Sequence, residues 1–344
     1  MLFRSSFASR SHLMLAREMD LCEPMQEEGF WFWRPKGELL RRQLLDWWKE
    51  EHERQGFSLI ASPASLMQEG EAGLCHSHRE YFLKFNAPKI AEVAWVLNES
   101  FDEGLLGSKA SSCDRAHLFF SREKLLEECI SSLRFILTIP KILGFEFEIV
   151  LSVSGEGTRK AMSQGRTLLS QALESVGVDY VIEKNYRVGV LASIEIRIAD
   201  SLGRRWTGPF LSVPEKELQD GQYKMLIRSA FGSLERITAL LLEKKGGWLP
   251  FWLAPEQVRI LVVTSNARDY AHQMLEALKV QGIRVALEDS KEVLRARIYR
   301  AVQERVPYIL LLGEKEAVAD VVSNILDVTG LIIVSQNNCV LLFF

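Results

Sequence analysis

No stretch of the 344-residue chain approaches the ~18 or more consecutive apolar residues that a transmembrane helix needs. Cysteine is scarce: five residues, at 22, 75, 113, 129 and 339, an odd number with no repeating spacing. That argues against a disulfide framework and for free thiols in a reducing compartment. There is no excess of positive charge either. Lysine and arginine total 42 against 45 acids, giving a net charge of −3 and a pI near 6.2. A global basic footprint for nucleic acid is thereby excluded, and a local basic strip stays open. No internal repeat or low-complexity tract is visible. Acids are missing before Glu18, where Arg4, Arg10 and Arg17 alternate with serines. That composition suits a mitochondrial transit peptide, or else a short tail leading into a first helix. The expected compartment is cytoplasmic, with the mitochondrion as the alternative.

What is present is the composition of an ordinary globular protein, 47% hydrophobic and 25% charged, with length for about two domains. Glu38 to Gln55 predicts a helix with Leu39, Leu40, Leu44, Leu45, Trp47 and Trp48 on one broad apolar face. Gly56 closes it, and a strand follows from Phe57 towards Pro63. Further helices are expected over Arg122–Leu137, Ala161–Ser175 and Met225–Leu242, and strands over Phe145–Val153 and through Tyr180-Val-Ile. A turn is expected at Gly155-Glu-Gly157. Ile194, Ile196 and Ile198 alternate with Glu195 and Arg197, the pattern of a half-buried strand.

The best domain boundary is Lys244-Lys-Gly-Gly-Trp-Leu-Pro-Phe-Trp-Leu-Ala-Pro255, because paired glycines and flanking prolines break regular structure. Beyond it, strands at Val258–Thr264, Arg284–Leu287 and Tyr308–Gly313 alternate with helices ending near Val280 and spanning Lys291–Glu304, and Leu331-Ile-Ile-Val reads as a last strand. This order predicts a compact α/β domain with a largely parallel sheet.

Three stretches carry a family resemblance. Glu28-Gly-Phe-Trp-Phe-Trp-Arg-Pro-Lys-Gly37, with the long helix and the strand that runs to Pro63, looks like the entry to a class II aminoacyl-tRNA synthetase core and its motif 1. Gly232-Ser-Leu-Glu-Arg236 looks like motif 3, and Trp252-Leu-Ala-Pro-Glu-Gln-Val258 like the opening of an anticodon-binding domain. Gln281-Gly-Ile-Arg-Val285 and Arg305-Val-Pro-Tyr308 continue the likeness, which covers roughly residues 12 to 316. The chain thus resembles the threonyl-tRNA synthetases, as a truncated and catalytically degenerate paralogue without the N-terminal editing modules. The resemblance implies an α/β fold: a class II core with an antiparallel sheet, then a compact anticodon-binding-type domain with a mixed sheet. The expected division is a tail over 1–11, the core over 12–245, a linker over 246–255 and the second domain over 256–344.

The resemblance also says where chemistry belongs. Class II enzymes clamp ATP with one arginine from motif 2 and one from motif 3, because a guanidinium offers several donors to oxygens whose charge redistributes. The motif 3 position is Arg236, read either as an ATP-binding remnant or as a helix residue paired with Glu235 or Glu243. Motif 2 reads as missing: between Pro88 and His117 there is no Arg-x-Glu, and the connection looks too short for the hairpin. Lys109, its only cation, reads as a solvated loop lysine. The family's zinc would take one cysteine and two histidines. Those positions hold Ala87, His117 and Ile227, and one ligand cannot hold zinc. His117 is therefore expected as a packed or hydrogen-bonded core histidine. Cys75, His76, His78 and Cys113 have ligand chemistry that leaves a substitute site open. The strand after Trp206 also appears shortened. Removing one transition-state donor costs about 3 kcal/mol. Two such losses cost on the order of 6 kcal/mol, near 10⁴-fold in rate. No cofactor is expected: ATP and zinc are the family's, and their sites read as degraded.

In the second domain Lys291, Arg295, Arg297 and Arg300 lie on one helix and are candidates for RNA phosphates, against the reading of a solvated basic face. The family's arginine just before this helix is Ser290, beside Glu288-Asp289, and Ala317–Phe344 contains no lysine or arginine. The function expected is a tRNA-binding or regulatory partner, a homodimer through the motif 1 region or a heterodimer with a true synthetase. The alternatives are a divergent threonine–tRNA ligase and a decayed gene product.

Overall fold

The computed structural model describes residues 11–63, 71–98, 104–154, 159–185, 189–214, 223–319 and 324–327. In chain order its elements begin α1 (His12–Glu18), β1 (Cys22–Pro24), β2 (Trp31–Trp33), α2 (Pro35–Arg54), β3 (Ser58–Leu59), α3 (Glu71–Phe85), β4 (Lys89–Leu97) and β5 (Ala110–Ser121). They continue through α4 (Leu125–Leu143), β6 (Phe147–Ser154), α5 (Arg159–Val176), β7 (Val181–Asn185), β8 (Val190–Ala199), β9 (Arg205–Pro214), β10 (Tyr223–Ser229) and α6 (Leu234–Lys245). The remainder is β11 (Val258–Val262), α7 (Arg268–Val280), β12 (Val285–Glu288), α8 (Leu294–Gln303), β13 (Tyr308–Leu312), α9 (Glu314–Ala319) and β14 (Asn324–Asp327). The turn expected at Gly155–Gly157 and the strand expected at Leu331–Val334 lie outside the described residues.

The fold is mixed α/β in two compact units. The first is built chiefly from Leu44–Lys244, the second from Lys245–Phe344 together with Met14–Glu23 and Phe32–Gln43. Those two early segments are held within the second unit by named contacts. Lys36 pairs with Glu304 at 2.6 Å, Arg305 reaches Glu18 at 3.2 Å, and Arg284 donates to Gln43 at 3.1 Å.

The first unit is an eight-stranded sheet in the order β3-β4-β5-β10-β9-β8-β6-β7. Its pairs are antiparallel except β3 with β4 and β6 with β7. Successive side chains on a strand point to opposite faces, so each strand serves two layers. On β10, Ile227 packs with Phe82 of α3 on one face. Its neighbour Arg228 points to the other, with its guanidinium carbon 4.1 Å from the Phe135 ring of α4.

Four expectations need correction here. Met225–Leu242 is not one helix, because Tyr223–Ser229 is strand β10, locked between β5 and β9. The β8 strand is not half-buried: Glu195 is fully enclosed, its carboxylate taking bonds from Ser193, Arg197 and Thr207. The hairpin judged too short to form is present, with Lys89–Leu97 of β4 paired against Leu118–Ala110 of β5. The strand expected from Phe57 towards Pro63 is confined to Ser58–Leu59, while Trp206 lies near the start of β9.

The turn from β10 into α6 depends on Gly232. Its φ is +77°, and a Cβ there would stand 2.8 Å from the Gly208 carbonyl oxygen. A left-handed backbone and a backbone clash coincide, so Gly232→Ala is expected to cost about 2 kcal/mol. A lowered urea midpoint at unchanged slope checks this, and an unchanged midpoint refutes it.

In the second unit β11 is central and parallel to β12 and β13, and β14 closes the edge antiparallel to β13. Val258, Ile260 and Val262 pack with Ala271, Met274 and Leu278 of α7, whereas Leu261 packs with Ala301 of α8. Burial on both faces explains why β11 reads as a continuous apolar run. Its one charge, Arg259, is satisfied by both oxygens of Glu256 at 2.6 Å and by Glu304 at 2.8 Å.

Candidate functional site

The face of the first unit's sheet beneath α3 carries the positions to which the resemblance assigns zinc ligands. Arg115, His117 and Phe119 alternate along β5 onto one face. His117 stands between two isoleucines, with Ile90 opposite it on β4 and Ile227 opposite it on β10. Ile90, Ile227, Phe82, Phe119 and Met225 form one buried cluster, with Ala87 and Cys75 packed against it. The positions where the resemblance calls for zinc ligands thus hold hydrocarbon apart from His117.

His117 itself is fully buried. Its Nε2 lies 3.2 Å from Cys75 Sγ, and the His78 ring meets it edge-on at 4.4 Å. His78 Nε2 in turn contacts Glu92 at 2.8 Å, and Glu92 accepts from both the amide and the hydroxyl of Ser62 at 2.7 Å. Burial, reinforced by the neighbouring His78 and Arg115 charges, pushes the His117 imidazole well below its ordinary range and keeps it neutral. Burial would raise the Glu92 carboxyl, but the hydrogen bonds from His78 and Ser62 outweigh it and hold the acid below its usual range. The arrangement is a polar ladder from β4 through α3 to β5.

Of the candidates for a substitute metal site, the fold brings Cys75 and His78 to His117 and leaves the others apart. His76 is exposed, and Cys113 lies four residues along β5, about 13 Å away. Burial pushes the Cys113 thiol up to about 11. Among the described residues no group of three or more His, Cys, Asp or Glu side chains is arranged to hold a metal ion.

Arg236, on the first turn of α6, donates from Nε to the Leu106 carbonyl at 2.8 Å and from Nη1 to the Thr207 carbonyl at 3.3 Å. Its guanidinium also lies over Trp206 at 5.3 Å. The expected acid partners are engaged elsewhere. Glu235 accepts from the Ser112 amide at 2.7 Å, and Glu243 contacts His12 at 2.6 Å. Lys109, expected as a solvated loop residue, is tied by its amide to Gly29 and by Nζ to Glu27. Sequence reasoning missed Arg115, whose Nη1 meets the Asp114 and Gly232 carbonyls and whose guanidinium lies over Phe210. The signal was its two-residue spacing from His117.

In the second unit the four basic candidates separate: α8 begins at Leu294, so Lys291 precedes the helix on which it was expected. Arg297 is buried, and its two terminal nitrogens reach the Val262 and Glu288 carbonyls. Arg300 is paired with Glu288 and Glu292. Arg297 and Arg300 do face together, but onto Glu288. Lys291 and Arg295 are exposed, and neither has an ion-pair partner among the described residues.

The profile of an anticodon binding domain matches residues 257–324. Threonine–tRNA ligase of Clostridium tetani is 30% identical over 358 residues, covering 89% of this chain and 56% of that one. The Desulfovibrio desulfuricans threonine–tRNA ligase is 31% identical over 362 residues, covering 90% and 56%. The chain therefore spans about half the length of the curated relatives it matches. Among solved structures, the RNA binding domain of threonyl-tRNA synthetase from Cryptosporidium parvum superposes with a TM-score of 0.80 at 24% identity, covering 90% of each chain. An Aeropyrum pernix threonyl-tRNA synthetase gives 0.77 at 17% identity, covering 91% and 87%. At those identities the likeness establishes the fold. No helix among the described residues is long and apolar enough to cross a membrane.

Proposed function

We propose that this homologue of the threonyl-tRNA synthetases, which carries their anticodon-binding domain, binds tRNA without charging it and acts as a regulatory partner in translation. The observation that carries the proposal is the hydrocarbon filling of the zinc cradle. Ile227 and Ala87 replace two ligands and pack into the Phe82–Phe119 cluster, leaving His117 to Cys75 and His78. A catalytic zinc needs three protein ligands and an open position for substrate. The engagement of Arg236 with two carbonyls supports the same reading on the nucleotide side. Pairing with a charging enzyme belongs to this proposal and gives retained tRNA affinity a use.

Purified protein given threonine, ATP and zinc is expected to show pyrophosphate exchange at least about 10⁴-fold below a competent synthetase, indistinguishable from a blank without threonine. The same protein is expected to retard tRNA at low salt. Threonine-dependent exchange above the blank would instead establish the divergent ligase. Absence of tRNA binding would refute the proposal from the other side.

A further inference from the structure

Helix α8 presents a chemically ordered ridge that the function described so far does not use. Its inner positions are filled: Ala301 packs in the core with Leu261, Val306 and Ile309, and Leu294, Ile298 and Val302 pack against that cluster. Arg297 is buried beside them. The outward ridge runs at four-residue spacing through Arg295, Tyr299 and Gln303, which places these side chains one above another. Tyr299 is 64% exposed, and Val293, just before the helix, is 76% exposed. Ala296, three residues before Tyr299, contributes only a methyl group and leaves the ring uncrowded on that side.

A single exposed aromatic on a helix has no necessary meaning. Here the surrounding charge gives it one. The acids near the helix are engaged, Glu288 and Glu292 by Arg300 and Asp289 by Arg268. Arg295, exposed and left over, stands one helical turn before the ring on its N-terminal side, and Lys291 precedes the helix. An aromatic face beside an available cation matches an unpaired nucleotide, whose base offers a π-face and whose phosphate offers a negative charge.

We infer that Tyr299 is a stacking platform for an unpaired base of the bound RNA, with Arg295 holding the neighbouring phosphate. The inference rests on the tRNA-binding reading and deepens it. The ring accepts any base by its face, so it supplies affinity for a single-stranded loop without setting sequence. Arg295 contributes a sequence-independent, salt-sensitive contact.

The test uses the full chain with a transcribed threonine tRNA and a perfectly paired RNA duplex of similar length, by filter binding across a salt series. Tyr299→Ala is expected to weaken tRNA binding about tenfold and to leave the duplex unchanged. Tyr299→Phe and Tyr299→Trp should stay within about twofold of the parent, since both keep a ring. Arg295→Ala should weaken both RNAs and reduce the salt slope by about one. An unchanged thermal midpoint for Tyr299→Ala shows that the variant is folded. Parental tRNA affinity in folded Tyr299→Ala overturns the stacking role while leaving tRNA binding intact. Equal losses on tRNA and duplex overturn it as well. No tRNA binding by the parent chain overturns both the platform and the reading on which it stands.

Discussion

Replacing Asp114 by alanine is expected to destabilise the first unit by about 3–5 kcal/mol, the cost of removing one partner from a buried ionic network. The side chain is fully buried on β5, pointing away from His117. It accepts from the Trp48 indole at 3.1 Å, the Ser229 hydroxyl at 2.8 Å, and the Ala230 and Phe231 amides at 2.6 and 2.9 Å. One carboxylate therefore ties α2 to the sheet and fixes the turn that launches α6. Without it two backbone amides and an indole lose their acceptor in the interior, each at roughly 1–3 kcal/mol. The Arg228 guanidinium loses a stabilising negative charge at the same time. Asparagine keeps an acceptor but turns a donor towards other donors, so Asp114→Asn should fall between parent and alanine. Urea unfolding of the three proteins checks the order, and an alanine variant within 1 kcal/mol of the parent would remove Asp114 from this role.

The strands flanking this network were legible where periodicity was strong and obscure where it was short. The β11 run, buried on both sides, and the helices α4 and α5 stand where the pattern places them. Met225-Leu-Ile fits a buried strand or a buried helix equally well over so few residues. The choice is made by β5 and β9, which bracket it and lie far away in sequence. Glu195 misled for a different reason. A carboxylate in a strand normally marks the wet face, but here Ser193, Arg197 and Thr207 satisfy it indoors, and no local pattern announces those partners.

The candidate sites divide in the same way. Ala87, His117 and Ile227 could be named one by one from the resemblance, and the register then sets Ile227 across from His117. The contact of Cys75 with His117 joins residues 42 apart on a helix and a strand, and spacing alone does not produce it. The fate of Arg297 was in fact readable. Leu294, Arg297, Ile298 and Ala301 fall at i, i+3, i+4 and i+7, the signature of one helix face, so an arginine on that stripe points inward. Counting positive charges on α8 as a single basic surface ignored this geometry. Applying it leaves Arg295 and Arg300 on the solvent side of α8, with Arg300 already paired to Glu288 and Glu292.

Acidification from pH 7 towards 4 is expected to cost the first unit on the order of 3 kcal/mol through His52 alone. The ring is completely buried at the end of α2, between Trp48 at 4.2 Å and Phe57 at 4.9 Å, with Nδ1 meeting the Trp48 carbonyl at 2.8 Å. Burial first, and then the nearby Arg228 charge, lowers its pKa from 6.5 to about 4. That guanidinium is itself enclosed between Phe57 and Phe135, and burial brings it down to about 9, so it stays charged throughout this range. Between pH 6.5 and 4 the unfolded chain binds a proton at His52 and the folded chain does not, so stability must rise with pH across that window. His117 is shifted in the same direction and adds to the slope. The carboxylates with lowered values, such as Glu243 shifted from 4.5 to about 2, begin to cost stability as the pH falls through about 4.5 and continue to do so down to about 2, in parent and variant alike. Phenylalanine at 52 keeps an aromatic ring in the cluster and removes the proton site. The unfolding free energy of His52→Phe, measured from pH 7.5 to 4.5, should therefore decline less steeply than that of the parent. Parallel curves for the two proteins would mean that His52 does not titrate differently on folding.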